Sequence, residues 1–283
     1  YARSAAVTRV NPRTLRGLKN MMLTEYRDAN AWPDDVFAFA WFPQLDNHLA
    51  DLAEMSSEDW PSHDGENGHC NLALFNYLKV TYRRLRQEGK IATSPSGEFA
   101  CFNTGLATRN HESLYALFEL NRNPGPRPWY FKGWFRRGAW ELTKFAELPE
   151  LAQYFEDPSC LVLDPRKEIR INLEHILADT PRERFPEPYR RMSDYALQTV
   201  LQGAIDNAKE RVRRSYKAAI PQFYRDEVQL LLPLCLADSE RADLALVVER
   251  HDGFYRAATC LTLETALNNA RQLARPDGDW LKP

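Results

Sequence analysis

Between Asn71 and Glu88 the residues Leu72, Phe75, Leu78, Tyr82 and Leu85 recur at spacings of three and four, while Lys79, Arg83, Arg84 and Arg86 fall elsewhere. That period predicts an amphipathic helix, and Gly89 is placed to end it as a C-cap glycine. A second stripe, Leu197, Val200, Leu201, Ala204, Ile205, Ala208 and Val212, predicts a longer helix over Ser193–Tyr216. Its last turns hold Lys209, Arg211, Arg213 and Arg214, followed by Lys217, and cations there suit the backbone dipole. A third helix is predicted over Glu264–Ala274 after the N-cap residue Thr262, and others around Pro12–Tyr26 and Leu142–Asp157.

Shorter patterns lie between the helices. Lys90–Thr93 and Glu98–Asn103 flank Ser94-Pro-Ser-Gly97, which reads as a hairpin turn. Leu114–Leu120 and Trp129–Phe135 predict two more strands. Val228–Leu236, Asp243–Glu249 and Phe254–Leu261 predict a C-terminal sheet, with His251-Asp252-Gly253 as a hairpin turn. Leu244–Val248 lacks alternation, so it is expected in the sheet centre with both faces covered. The expected fold is α+β: an N-terminal helical, winged-helix-like part with a hairpin over residues 1–157, then a helix-flanked, mostly antiparallel sheet over 158–283. The two parts are also compatible with one compact unit.

Composition narrows the classes. With 283 residues and 44% hydrophobic content, a sizeable core is available. A net charge of −2 excludes a polybasic binder, so any nucleic-acid surface must be local. The apolar run Leu230–Ala237 is too short for a bilayer span, so no membrane partner is expected. Five scattered cysteines, without a CxxC pair, suit reduced buried thiols in the cytoplasm. The chain starts at Tyr1, which is compatible with a trimmed leader or N-terminal module.

Residues 121–140 stand apart: five cations (Arg122, Arg127, Lys132, Arg136, Arg137), six aromatics and no acid. Rings that stack bases beside cations that meet phosphates would produce that mixture. An amphipathic hairpin, rings inward and cations in water, would produce it equally. On the first reading Trp129, Tyr130 and Trp134 stack bases, and Arg127, Lys132, Arg136 and Arg137 meet phosphates. Asn103, Thr104 and Gly105, followed by Arg109, could form a nest for an anion or a base edge, or a plain turn. His175, flanked by apolar residues, is a candidate base or a hydrogen-bonded structural histidine. Lys217, Arg250 and Thr259 are its candidate partners in metal-independent phosphate chemistry.

Walker, GxGxxG, HExxH and GxSxG signatures are absent, and no cofactor is expected. The crowded donors of His63-Asp64-Gly-Glu66-Asn-Gly-His69-Cys70 suit a solvated loop better than a metal site, so no metal ligand is assigned.

Several strings make the chain similar to an uncharacterised bacterial domain-of-unknown-function family. They include Tyr77-Leu-Lys, Glu88-Gly-Lys90, Phe102-Asn-Thr-Gly-Leu106, Asn121-Arg-Asn-Pro and Trp129-Tyr-Phe-Lys-Gly133. Further on come His175-Ile-Leu, Arg184-Phe-Pro186, Ala219-Ile-Pro-Gln222, Leu230-Leu-Leu-Pro-Leu234, Ala242-Asp-Leu-Ala-Leu246, Thr259-Cys-Leu-Thr-Leu263 and Asn268-Asn-Ala-Arg271. Members are often fused to cold-shock or OST-HTH (LOTUS) RNA-binding modules, so the resemblance implies an RNA context, with such modules fused or in trans. It implies no catalytic residues. A weaker similarity of element order links the chain to barnase/colicin/RelE-type ribonucleases.

The expected function is therefore binding of single-stranded RNA or a nucleotide, with metal-independent RNA cleavage as an extension. The alternatives are a small-molecule nucleotide enzyme with a closed pocket, or a non-catalytic interaction module.

Overall fold

The computed structural model describes residues 29–60, 71–122 and 127–273. The expected helix at Pro12–Tyr26 and the His63–Cys70 donor loop lie outside the described residues. The chain divides into two compact units, Tyr1–Ala152 and Gln153–Pro283. Both are α+β, each built on a five-stranded sheet.

In the first unit, α1 (Val36–Phe39) starts where the Asp35 carboxylate accepts the Phe37 N–H at 2.8 Å. It leads directly into β1 (Ala40–Trp41) and then α2 (Leu45–Met55). The predicted amphipathic helix is α3 (Leu72–Gln87), capped by Asn71 Oδ1 accepting from Leu74 N at 3.0 Å. It ends at Gly89, whose φ of 67° suits a residue without a Cβ. A meander follows through β2 (Ala92–Thr93), β3 (Phe99–Ala107), β4 (Ser113–Leu120) and β5 (Trp129–Arg136). The sheet order is β1-β5-β4-β3-β2, with only β1 parallel to its neighbour. Leu74, Leu78, Tyr82 and Leu85 of α3 join Phe102, Phe118, Trp129 and Phe131 in one core.

The other face of this sheet is partly covered. Cys101, Tyr115 and Leu117 pack with Leu142 and Phe145. The helix expected over Leu142–Asp157 is only a short 3-10 turn, Trp140–Lys144, followed by irregular chain. Pro149 lacks an amide donor and disfavours helix at the residue before it, so the segment crosses the sheet as an extended strap instead.

In the second unit the order is β6-β10-β9-β8-β7, for β6 (Glu168–Arg170), β7 (Ile220–Tyr224), β8 (Glu227–Leu234), β9 (Leu244–His251) and β10 (Phe254–Leu261). Only β6 runs parallel to its neighbour, so this sheet is mostly antiparallel as expected. The unpatterned stretch Leu244–Val248 is buried throughout and lies on the central strand. Short α4 (Leu173–Asp179) and α5 (Glu187–Arg190) precede the long α6 (Asp194–Arg214). The stripe Leu197, Leu201, Ala204, Ile205, Ala208 and Val212 of α6 is buried against one sheet face. On the other face α7 (Leu263–Ala270) packs Ala266 and Ala270 onto Ile220, Leu231, Ala245 and Val247.

The sequence reading missed β7 and β6. β7 carries Pro221 at the sheet edge, where proline is tolerated. Glu-Ile-Arg at β6 is too short and charged to signal itself. No helix among the described residues is long and apolar enough to cross a membrane.

Candidate nucleic-acid interface

Strand β5 begins in strict alternation, with Trp129 and Phe131 toward the helices and Tyr130 and Lys132 away. The register then shifts: Phe118 pairs with Phe131, but Leu117 pairs with Gly133, leaving Lys132 as the extra residue of a bulge. Gly133 has φ 147°, and a Cβ there would stand 3.2 Å from the Phe135 ring. Because of the slip, Trp134 also turns into the core.

Trp129 and Trp134 therefore cannot stack bases, which corrects the sequence reading. Trp129 is 0% exposed, its ring edge-on to Trp32 at 5.9 Å and beside Phe39 at 5.8 Å. Trp134 is buried and donates its indole N–H to His48 O at 2.7 Å. The inward alternative for these two indoles prevails because a sheet packed against helices demands large apolar side chains on that face.

The Asn103–Gly105 nest is corrected as well. Asn103 and Thr104 are buried inside a bulge of β3. Asn103 Oδ1 accepts the Gly105 N–H at 3.1 Å, while Thr104 Oγ1 donates to Leu114 O at 2.8 Å and accepts from Leu106 N at 3.2 Å. These groups close the bulge and offer nothing to a ligand. Gly105 has φ 81°, and a Cβ there would meet the Tyr77 hydroxyl at 2.5 Å. Arg109 is exposed beyond the end of β3, and Arg137 is exposed just after β5.

What remains on the outer face is narrower. Trp41 of β1 sits beside Tyr130 of β5 in register, and they are 49% and 36% exposed. The Arg127 guanidinium lies over the Trp41 ring at 4.8 Å, and Lys132 Nζ stands 5.9 Å from the Tyr130 ring centre. Glu119, opposite Tyr130 on β4, pairs with both Lys132 (3.1 Å) and Arg122 (3.2 Å). One carboxylate thus faces two cations. Arg136 makes a looser 4.0 Å pair with Glu112. Trp41 was missed by the sequence reading because the strand carrying it has only two residues.

In the second unit a row of polar side chains crosses the face that carries α7. Asn269 Nδ2 donates to Gln222 Oε1 (3.1 Å), Gln222 Nε2 to Gln229 Oε1 (2.8 Å), and Gln229 Nε2 to Glu249 Oε1 (3.5 Å). Glu249 Oε2 lies 3.7 Å from Arg256 Nη1, and Arg256 Nη2 lies 2.9 Å from His175 Nε2. The same His175 nitrogen is 3.2 Å from Asp179 Oδ2. Gln222 and Gln229 are buried, Glu249 and His175 half-buried, and Arg256 exposed, so the row runs from interior to solvent.

The proposed partners of His175 do not converge on it. Lys217 is exposed just before β7, at the sheet edge opposite β6 and β10. Arg250 is in register with Tyr255, whose side chain is buried on the α6 face, and donates to Ser159 Oγ at 3.5 Å. Strand alternation puts Arg250 on the face opposite Glu249. Thr259 lies near, but its hydroxyl donates to Asp179 O at 3.1 Å and sits 3.2 Å from Thr180 Oγ1. The residues that do meet His175, Arg256 and Asp179, carry no sequence signal. Their meeting depends on α4 packing alongside β10.

Among the described residues no group of three or more His, Cys, Asp or Glu side chains is placed to hold a metal ion. The described cysteines are free. Burial pushes the Cys260 thiol up to about 12 and raises that of Cys101 further, which makes both poor nucleophiles.

The molecule is thus an α+β protein of two sheet-based units, one with an exposed aromatic–cationic face and one with a polar row ending in an exposed Glu–Arg–His cluster. Residues 49–280 match the family described as "Domain of unknown function (DUF3825)", and the chain belongs to it. No curated protein and no solved structure matches it.

Proposed function

We propose that this protein binds single-stranded RNA on the outer face of its first sheet. The observation that carries this reading is the exposed Trp41–Tyr130 pair, in register on adjacent strands and flanked by Arg127 and Lys132. Rings on a sheet face accept bases of any sequence, and each stacked base contributes about 1–3 kcal/mol. Arg122, Arg127 and Lys132 supply local positive charge that a net charge of −2 does not preclude. The same reading puts the protein in the cytoplasm of a bacterium, next to cold-shock or OST-HTH RNA-binding modules fused or in trans. Buried, unpaired cysteines are consistent with a reducing compartment.

The test is retention of a labelled single-stranded RNA across a salt series. Changing Trp41→Ala and Tyr130→Ala together should weaken affinity at least about tenfold, given the cost of losing a stacked base. Affinity that stays the same in the doubly substituted protein refutes the surface.

A further inference from the structure

The polar row of the second sheet ends in three groups whose chemistry goes beyond holding RNA. Glu249 and His175 touch opposite ends of one guanidinium, that of Arg256. Glu249 is held from behind: Gln222 and Gln229 are buried, each amide donating to the next acceptor, and the last donates to the Glu249 carboxylate. This direction fixes the carboxylate as the acceptor at the end of the row. His175 is held differently. Its Nε2 lies between a donor, Arg256 Nη2, and an acceptor, Asp179 Oδ2. A neutral ring accepts from Arg256; a protonated ring donates to Asp179 and repels Arg256.

We propose that Glu249, Arg256 and His175 form an acid–base centre that cleaves the RNA backbone by attack of a ribose 2′-hydroxyl on the adjacent phosphorus. The proposal rests on RNA being the ligand. Glu249 takes the proton from the 2′-hydroxyl, the 2′-oxygen–phosphorus bond forms, and the phosphorus–5′-oxygen bond breaks. Protonated His175 gives its Nε2 proton to the departing 5′-oxygen, and Arg256 meets the phosphoryl oxygens where charge accumulates. The products are a 2′,3′-cyclic phosphate and a 5′-hydroxyl end. A proton returned through solvent from Glu249 to His175 resets the centre. No oxidant, reductant or co-substrate is needed. Near neutral pH a carboxylate is ionised and available to take a proton, while an imidazolium still has one to give, which sets the two roles. Asp179 is a positioning residue: it holds the protonated ring, and Thr259 ties down its backbone carbonyl.

The experiment incubates the full chain with an end-labelled single-stranded RNA in excess EDTA and identifies product ends by mass spectrometry. The expected result is cyclic-phosphate ends, with the cleavage rate lowered at least about 100-fold by His175→Ala or by Glu249→Gln. A DNA of the same sequence, lacking the 2′-hydroxyl, should remain whole. Circular dichroism checks that each variant is folded, and His175→Asn substitutes for any variant that is not. RNA retained but uncut by the unaltered protein overturns the acid–base centre and leaves the binding surface standing. Cutting at an unchanged rate by both variants also overturns it. RNA neither retained nor cut refutes both readings. Cleavage that persists with a raised KM in the Trp41→Ala/Tyr130→Ala protein would support both and separate their roles.

Discussion

The two sheets are built to the same plan and finish differently. Each has five strands, four of them antiparallel and one short parallel edge strand. Each packs one face against helices, and the other is covered by the 142–145 segment in the first and by α7 in the second, part of it in each. On the first sheet the open part carries Trp41 and Tyr130 with cations set against their rings, and Glu119 beside them pairs with Lys132 and Arg122. On the second sheet a row of six side chains runs from Asn269 on α7 through the buried Gln222 and Gln229 to Glu249, the exposed Arg256 and His175. Exposed rings with room above them suit stacking of many different bases. A row in which each group fixes the next suits chemistry that needs one orientation.

The largest test of that contrast sets one indole against another. Trp129→Ala should cost about 3–5 kcal/mol of first-unit stability, because a fully buried ring leaves a cavity. Trp41→Ala, half in solvent, should change stability by no more than about 0.5 kcal/mol while reducing RNA retention. Denaturant unfolding followed by tryptophan fluorescence distinguishes them, and equal effects would erase the assignment of buried and exposed faces.

Next comes the row. Gln229→Leu removes the group that bridges Gln222 and Glu249 and strands a buried amide, at a cost of about 1–3 kcal/mol. Replacing Gln222 and Gln229 together by Leu should cost less than the sum of the two single changes, as a coupled pair requires. Additivity would show that the two amides act separately. A comparable cost, about 1–3 kcal/mol, is expected for Gly105→Ala in the first sheet, where positive φ and the Tyr77 hydroxyl both oppose a Cβ.

A smaller effect separates the cations. Lys132→Ala should lower the slope of log affinity against log salt by about 0.7, as for one lost phosphate contact on a single strand. Arg250→Ala, on the second sheet, should leave that slope alone. Equal slopes for both variants would argue against a local surface.

The smallest effect is acidic. Arg166 donates to the Asp164 carboxylate through its guanidinium and its backbone amide and holds it at about 2, below the usual 3.8. A carboxyl group depressed by folding adds stability above its unfolded value and loses it as pH falls toward 2. Acid should therefore loosen the segment around Asp164, whose backbone N–H donates to the Tyr255 hydroxyl under the second sheet. Arg166→Ala should remove that part of the acid dependence in an NMR titration.

Much of the fold was readable. The stripes on α3 and α6, the cap at Thr262, and the burial of Leu244–Val248 each follow from local pattern. Local pattern failed where context decided. Pro221 is tolerated because β7 is an edge, whereas the Leu142–Asp157 segment is irregular through a local feature, Pro149, that the helical reading passed over. At the candidate site, composition identified a strand rich in rings and cations but could not assign their directions. The bulge at Lys132–Gly133 breaks the alternation that would have assigned them.

By itself, then, the amino-acid order determined which segments become helices and strands, because those choices rest on periodicity and capping within a few residues. Which indoles are sealed, which guanidiniums are exposed, and that His175 meets Arg256 rather than Lys217 or Arg250, were decided only by tertiary structure. The physical reason is distance along the chain: His175 and Arg256 are separated by 81 residues, and only strand pairing and the seat of α4 on β10 bring them together.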